Sequence, residues 1–188
     1  MEQAHQRKTI RLDREVYQKA GQPFSITVCT YNKTSLSNKL EELIFQSIIE
    51  GDLRKKSNLM AVCVMPDHVH LLLAPVEENL IEVIGRWKSY TTHLIQLQES
   101  IVRVWQRSFY DPGLRKDEDL IKVAEYIVSN PVRKGLVEDW ANYPFAWHKW
   151  MQNGDSRGPP CVTKIFVGAA LRGRPNKEPT VGLPYIPG

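Results

Sequence analysis

Residues 58–74, N-L-M-A-V-C-V-M-P-D-H-V-H-L-L-L-A, contain two apolar runs separated by a short turn sequence. Asn58 to Val64 is the first run, Met65-Pro66-Asp67 closes it, and His68 to Ala74 is the second. Compact apolar runs bounded by turn-forming residues are typical of buried strands. The stretch therefore predicts a β-hairpin.

Two strands and two helices are predicted on either side of this hairpin. Pro23 to Thr30 and Ile101 to Phe109 alternate as half-buried strands do, and Asp111-Pro112-Gly113 follows the second as a strong turn signal. Ser37 to Glu50 and the segment from Leu80 to Leu97 repeat apolar residues at helical spacing. The order β-α-β-β-α-β is that of the ferredoxin-like unit, an antiparallel sheet with two helices packed on one face.

An added C-terminal helix is predicted from near Asp117 to Asn130. Acidic residues favour its start, and Pro131 disfavours helical geometry at the residue before it. Tyr126 and Asn130 lie one turn apart, and we expect both to lie off the apolar face of the helix. The helix would then present both side chains to something other than the main core.

The chain is long enough, at 188 residues, for one domain with a full core. Its last 38 residues hold 6 of the 11 glycines and 6 of the 12 prolines, which predicts an extended tail over 151–188 after a domain over 1–150. The predicted fold class is α+β: a ferredoxin-like antiparallel sheet, an added C-terminal helix and an extended tail.

Composition narrows the function classes only slightly. No stretch approaches the roughly 20 apolar residues of a membrane span, and Met1 to Leu12 is mostly polar, so we expect a cytoplasmic protein with no membrane partner. The odd number and wide spacing of Cys29, Cys63 and Cys161 favour reduced thiols. A net charge of +4 permits a nucleic-acid partner without requiring one.

Basic residues are interleaved with aromatic residues between positions 86 and 134, a mixture that suits tracking of a nucleic-acid backbone and stacking of bases. A solvated face over a core would give the same mixture, and Trp105 in particular could simply fill the core. The residues predicted to contact DNA are Arg86, Lys88, Trp105, Gln106, Arg107, Arg115, Arg133 and Lys134.

A pair of histidines, His68 and His70, lies two positions apart in the second strand of the hairpin. Side chains two apart on a strand point to the same face, so both imidazoles converge on one small volume. Ordinary hydrogen-bonded histidines are one interpretation. A metal site is the other, and the apolar run around the pair favours it, since buried polar side chains are costly unless paired or ligated.

The second candidate element is Tyr126 together with Asn130. Alone, each is usually structural, as a packed ring and as a cap. Together they make chemical sense, because a nucleophilic phenol needs a metal-bound phosphate before it, and a nearby amide oxygen could complete the metal's shell. The competing tyrosines Tyr90, Tyr110 and Tyr143 have no amide side chain four residues later.

Four segments in this order resemble a known family: M-P-D-H-V-H at 65–70, V-W-Q-R-S-F-Y-D at 104–111, Y-I-V-S-N-P-V-R-K-G-L-V at 126–137 and Y-P-F-A-W at 143–147. They resemble the HUH single-tyrosine transposases, and more particularly the branch called REP-associated tyrosine transposases. The resemblance runs from about residue 11 to residue 150.

The resemblance implies a metal-dependent transesterase that cuts and rejoins single-stranded DNA near hairpins through a 5′-phosphotyrosine intermediate. It matches Tyr126 to the nucleophile, and His68, His70 and Asn130 to the ligands of Mg²⁺ or Mn²⁺. It further implies no nucleotide cofactor and a monomer rather than a dimer. Insertion-sequence relatives usually carry Gln where Asn130 stands, and family members often carry other residues at Pro112-Gly113, so this loop differs from theirs.

Two alternatives stay open from the sequence. One is a domesticated hairpin-DNA-binding protein of the same fold without active cleavage, against which the intact His68, His70 and Tyr126 argue. The other is a metallohydrolase or an RNA-binding domain built on a ferredoxin-like sheet.

Overall fold

The computed structural model describes residues 12–77, 79–114 and 118–150 of the chain. The predicted tail, Arg115 and Cys161 lie outside the described residues. Within them, no helix is both long and apolar enough to cross a membrane. The helices and strands, in chain order, are β1 (Phe24–Cys29), α1 (Asn38–Ile49), α2 (Asp52–Lys56), β2 (Ser57–Met65), β3 (His68–Pro75), α3 (Leu80–Gln96), α4 (Leu120–Val128), α5 (Asn130–Arg133) and β4 (Ala146–His148).

The four strands form one antiparallel sheet in the order β1-β3-β2-β4. The predicted hairpin is confirmed as its centre: β2 and β3 pair from Met65 opposite His68 to Ser57 opposite Pro75. On its other side β3 pairs with β1, which places Thr27 opposite His70. The histidine strand is therefore flanked on both sides by hydrogen-bonded neighbours.

Side chains alternate between two cores on the two faces of this sheet. Val69, Leu71 and Leu73 of β3 belong to the core that contains the apolar residues of α1 and α3. Leu72 and Ala74 belong to the core that contains those of α4. Because strand side chains alternate in direction, His68 and His70 share a face with Leu72. This is the face of the sheet on which α4 packs.

The predicted strand from Ile101 to Phe109 is wrong as a regular strand, although the segment does run beside β1. It makes two isolated bridges, Thr30 with Trp105 and Thr27 with Tyr110. The two bridges are three residues apart on the side of Thr27 and Thr30 but five residues apart on the side of Trp105 and Tyr110. No continuous ladder of hydrogen bonds can therefore form. The fourth strand of the sheet is instead the short β4, which pairs with β2.

The last predicted helix is confirmed in place, with different ends. It begins at Leu120, where the carboxylate of Asp119 accepts a hydrogen bond from the backbone N–H of Ile121 at 2.9 Å. It ends at Val128, and a one-turn helix, α5, follows with Pro131 inside its first turn. Proline is tolerated there because the first helical N–H groups need no partner within the helix.

Candidate active site

The two histidines of β3 bring their Nε2 atoms to within 3.0 Å of each other. Their ring centroids are 4.7 Å apart and the ring planes are almost perpendicular. Two nitrogen ligands that lie about 2.1 Å from one ion, at right angles around it, are about 3 Å apart. The spacing of this pair therefore suits two ligands of a single metal ion.

Hydrogen bonds hold each imidazole from its outer nitrogen. Nδ1 of His68 lies 2.5 Å from Oδ1 of Asp67, and Nδ1 of His70 lies 3.0 Å from Oγ1 of Thr27. A carboxylate only accepts, so Nδ1 of His68 donates to Asp67 and its Nε2 directs a lone pair toward Nε2 of His70. Ligating histidines are commonly held in this way by a carboxylate or oxygen acceptor.

Burial favours the neutral form of His70. The pKa of His70 is lowered to about 3, first by burial and then by the charges of His68 and Arg133, while Asp67 acts in the opposite direction. His70 is therefore uncharged at neutral pH, which is the state that a metal ligand requires. Among the described residues, no third His, Cys, Asp or Glu joins the pair in a metal-binding group.

Asn130 is buried in the α4 layer, with 8% of its surface exposed. The expectation that it lies off the core face of its helix is therefore wrong. Its amide nitrogen donates to the carbonyl oxygen of Ile127 at 2.9 Å, and its amide oxygen accepts from Arg133 at 2.7 Å. These two partners fix which end of the amide faces which way, since a carbonyl accepts and a guanidinium donates.

Tyr126, by contrast, is 62% exposed, as predicted for a residue off the apolar face of α4. The guanidinium of Arg133 lies over its ring, 3.7 Å from the centroid, and donates to its backbone carbonyl at 2.9 Å. Arg133 also affects the pKa of His70, so it is electrostatically linked to the histidine pair as well. The structure thus brings Tyr126 and Asn130 together through Arg133, on the face of the sheet that carries the histidines.

Two of the residues predicted to contact DNA have partners within the fold. Trp105 is 8% exposed, stacks near Trp87 and donates from its indole nitrogen to Thr91 at 2.9 Å, so it fills the core. Lys88 is half-buried and donates from Nζ to the carbonyl oxygens of Gln106 and Arg107. Trp105 is therefore too buried to contact DNA, and the amino group of Lys88 is already bound to two carbonyl oxygens.

The remaining predicted DNA contacts are divided between the two sides of the sheet. Arg133 and Lys134 are exposed beside the candidate site, and Arg107 is exposed on the segment beside β1. Arg86 is exposed on α3, which packs on the opposite face, and Gln106 is half-buried.

The competing tyrosines occupy three different environments. Tyr143 is buried and donates from its hydroxyl to the carbonyl oxygen of Val64 at 2.9 Å. Tyr90 belongs to α3, on the face away from the histidines. Tyr110 is 54% exposed and bridges Thr27, the partner of His70.

Two residues of this site, Asp67 and Thr27, were not among those predicted from the sequence. Asp67 directly precedes the first histidine, so a signal for it was present in the sequence. Thr27 occupies an outward position of the alternating strand β1, but its pairing with His70 depends on strand order and register.

An antiparallel α+β sheet with paired histidines on a central strand, faced by a helix that bears an exposed tyrosine, defines the structural class. The chain belongs to the family of IS200-like transposases, whose model, described as "Transposase IS200 like", matches residues 22–130. The match covers the hairpin, both histidines and the helix of Tyr126.

Relatives point to a particular branch of this family. A Haemophilus influenzae protein provisionally named as a REP-associated tyrosine transposase is 31% identical over 99 residues, which are 46% of this chain and 56% of that protein. This chain thus spans little more than half of that relative's length. The REP-associated tyrosine transposase of Escherichia coli K12 is 25% identical over 145 residues, 75% of this chain and 85% of that protein.

A solved structure shows the same fold. It is that of a REP-associated tyrosine transposase bound to a REP hairpin, and it superposes with a TM-score of 0.58 at 22% identity, over 69% of this chain and 78% of the other. The four-stranded antiparallel sheet with its helices is therefore the architecture of that transposase.

Proposed function

We propose that this chain is a single-tyrosine HUH transposase: a metal-dependent transesterase that cleaves and rejoins single-stranded DNA next to hairpins of the REP type. One observation carries the proposal. The Nε2 atoms of His68 and His70 lie 3.0 Å apart, and the Nδ1 atom of each ring is hydrogen-bonded to a neighbouring side chain. Both rings lie on the sheet face against which the helix of Tyr126 packs. The relatives named as REP-associated tyrosine transposases support the choice of substrate.

His68, His70 and Asn130 would hold Mg²⁺ or Mn²⁺. When bound, such an ion supplies positive charge that polarises an oxygen of the scissile phosphate and orients it for in-line attack. Asp67 and Thr27 hold the two rings through their Nδ1 atoms, so that both Nε2 atoms would face the ion. Arg133 orients the amide oxygen of Asn130 and places a second positive charge beside the nucleophile.

Tyr126 would act as the nucleophile. Its hydroxyl gives its proton to solvent and the oxygen attacks phosphorus. The bond from phosphorus to the 3′ oxygen breaks, and that oxygen takes a proton from solvent and leaves as a hydroxyl. The product is a 5′-phosphotyrosine, which retains the phosphodiester's energy. A 3′ hydroxyl can therefore reverse the reaction or join a new strand, so the cycle needs no nucleotide cofactor.

The helix of Tyr126 packs on the sheet of its own chain, with Asn130 and Arg133 on the same helical segment. This supports a site completed within one chain, and we propose that the protein acts as a monomer. Equilibrium sedimentation with and without hairpin DNA would measure the molecular mass directly.

The test is incubation of the protein with a labelled hairpin oligonucleotide that carries single-stranded flanks, in the presence of Mn²⁺. The proposal predicts a protein–DNA adduct that is stable to denaturation and is lost on chelation or in His70→Ala. Binding without any adduct or cleavage product would favour the DNA-binding alternative. A preference for RNA hairpins over DNA hairpins in the same experiment would favour an RNA-binding domain.

A further inference from the structure

A row of directly paired residues crosses the face of the sheet that carries the histidines. Tyr110 bridges Thr27, Thr27 pairs with His70, and His70 pairs with Cys63. Residues directly opposed on antiparallel strands direct their side chains to the same face. The side chain of Tyr110 therefore shares a face with that of His70, and their backbones are two strand spacings, or about 10 Å, apart.

The backbone of Tyr110 is fixed on both sides. Its N–H and carbonyl exchange hydrogen bonds of 2.9 and 2.8 Å with Thr27. The next residue, Asp111, is 1% exposed and accepts from the backbone N–H of Gly113 at 2.8 Å. The preceding residue, Phe109, packs against Tyr17 in the opposite core. The backbone of Tyr110 is thus held in place, while 54% of the residue's surface is exposed.

Between Tyr110 and the histidines runs a partly exposed polar strip. The residues of β1 on this face, Ser25, Thr27 and Cys29, are partly buried, whereas Phe24, Ile26 and Val28 on the other face are almost completely buried. The packing of α4 is chiefly against β2, β3 and β4. Among the described residues, α4 therefore covers one half of this face, and the half formed by β1 is accessible.

We propose that Tyr110 and the exposed face of β1 form a base-stacking subsite for the single-stranded DNA segment that adjoins the cleaved phosphate. The inference rests on the proposed function, because the occupant is the substrate strand that reaches the histidine pair. An exposed aromatic ring stacks on any base, and the strip beside it is polar and not an apolar groove. Exposed Arg107, three residues before Tyr110, adds positive charge for the backbone.

Binding is measured in the Tyr126→Phe background, so that no chemistry is needed. The probe is a fluorescein-labelled DNA hairpin with an oligo(dT) flank on either side, titrated with protein and followed by anisotropy. Tyr110→Ala is expected to raise Kd about 5- to 150-fold, the range for loss of one base stack. Tyr110→Phe keeps the ring and should bind like the parent. Tyr90→Ala, an exposed tyrosine on the opposite layer, is the matched control and should also bind like the parent.

An abasic scan of the flanks identifies the stacked base. At one flank position, removal of the base is expected to weaken DNA binding by the parent but not by Tyr110→Ala, since the two changes remove the same contact. Parent-like binding by Tyr110→Ala, equal weakening in Tyr110→Phe, or additive losses at every position would each overturn the subsite. If the scan shows the expected position while protein carrying Tyr126 forms no adduct, the subsite stands and the proposed cleavage fails.

Discussion

Arg133 stacks on Tyr126 at 3.7 Å from the ring centroid and donates a 2.7 Å hydrogen bond to the amide oxygen of Asn130 with the same guanidinium. One side chain thus links the proposed nucleophile to the proposed third ligand. The link is local in sequence, because the short helix α5 continues directly from α4 and carries Arg133 back over the exposed ring. A change in Arg133 is therefore expected to disturb both groups at once.

Arg133→Ala is expected to slow adduct formation in single turnover by about 10- to 150-fold, the equivalent of a charged hydrogen bond worth about 1.5 to 3 kcal/mol. Arg133→Lys should recover little, since an ammonium cannot both stack on the ring and bridge two acceptors as a planar guanidinium does. The measurement is the rate of adduct formation at saturating hairpin DNA, with the affinity for DNA measured separately.

Lys122→Ala is the matched control for Arg133, as it removes an exposed cation from the same helical region. A parent-like rate in Arg133→Ala, or full recovery in Arg133→Lys, would contradict the linking role. If Arg133→Ala lowered the affinity for DNA but left the rate of adduct formation unchanged, Arg133 would be assigned to contact with the DNA backbone.

Thr27→Val is expected to weaken Mn²⁺ binding by about 10- to 100-fold, because it removes the oxygen that holds Nδ1 of His70 while preserving side-chain shape. Thr27→Ser keeps the hydroxyl and should bind nearly as tightly as the parent. Titration of the protein with Mn²⁺, followed by the electron paramagnetic resonance signal of the free ion, gives the affinity. Equal affinity in the parent and Thr27→Val would show that this hydrogen bond does not orient a ligand.

Much of the fold was predictable because it depends on local pattern. The hairpin, the two helices of one layer and the helix of Tyr126 all have strong hydrophobic periodicity or turn residues. The failure at Ile101 to Phe109 has a different origin: alternation predicted a strand, but the segment has two residues too many for continuous pairing with β1. Register of this kind depends on the partner strand and is not written in the segment itself.

Lys88→Met is expected to lower the free energy of unfolding by about 1.5 to 3 kcal/mol, since two carbonyl oxygens lose a charged donor. Urea denaturation measures the effect, with the exposed Lys122→Met as control. DNA affinity at fixed salt should be unchanged, because the amino group of Lys88 is already bound to two backbone carbonyl oxygens. If Lys88→Met were as stable as the parent but bound DNA more weakly, the prediction that Lys88 contacts DNA would be supported.

Glu41 predicts a pH dependence of stability. Burial raises its pKa above the ordinary value of 4.5, against the opposing effect of its hydrogen bond from Tyr143. A raised pKa in the folded state means that this group's contribution to stability is complete below pH 4.5 and is lost as pH rises through the raised value. Glu41→Gln, neutral at every pH, should therefore be more stable than the parent at neutral pH.

The advantage of Glu41→Gln should disappear in urea denaturation carried out below pH 4.5, where the parent carboxyl is protonated. Tyr143→Phe serves as the companion variant, since it removes the hydrogen bond and keeps the carboxyl. A Glu41→Gln protein that is less stable than the parent at neutral pH would show that the charged carboxylate stabilises the fold.

The candidate site was predictable only in its parts. The spacing of His68 and His70 on one strand, and of Tyr126 and Asn130 on one helix, is local and could be recognised. That Asn130 is buried while Tyr126 is exposed follows from how α4 and α5 pack on the sheet. Trp105 and Lys88 could not be assigned from the sequence. A basic or aromatic residue that contacts DNA looks the same in a sequence as one that bonds α3 to the neighbouring segment.

The most direct test of the account is to find the residue that becomes covalently attached to DNA. The protein is incubated with a hairpin oligonucleotide and Mn²⁺, the adduct is digested with protease and nuclease, and the modified peptide is sequenced by mass spectrometry. The account predicts a nucleotide linked through its 5′ phosphate to Tyr126, and no adduct in Tyr126→Phe. Attachment to Tyr110 or Tyr90, or an undiminished adduct in Tyr126→Phe, would contradict it.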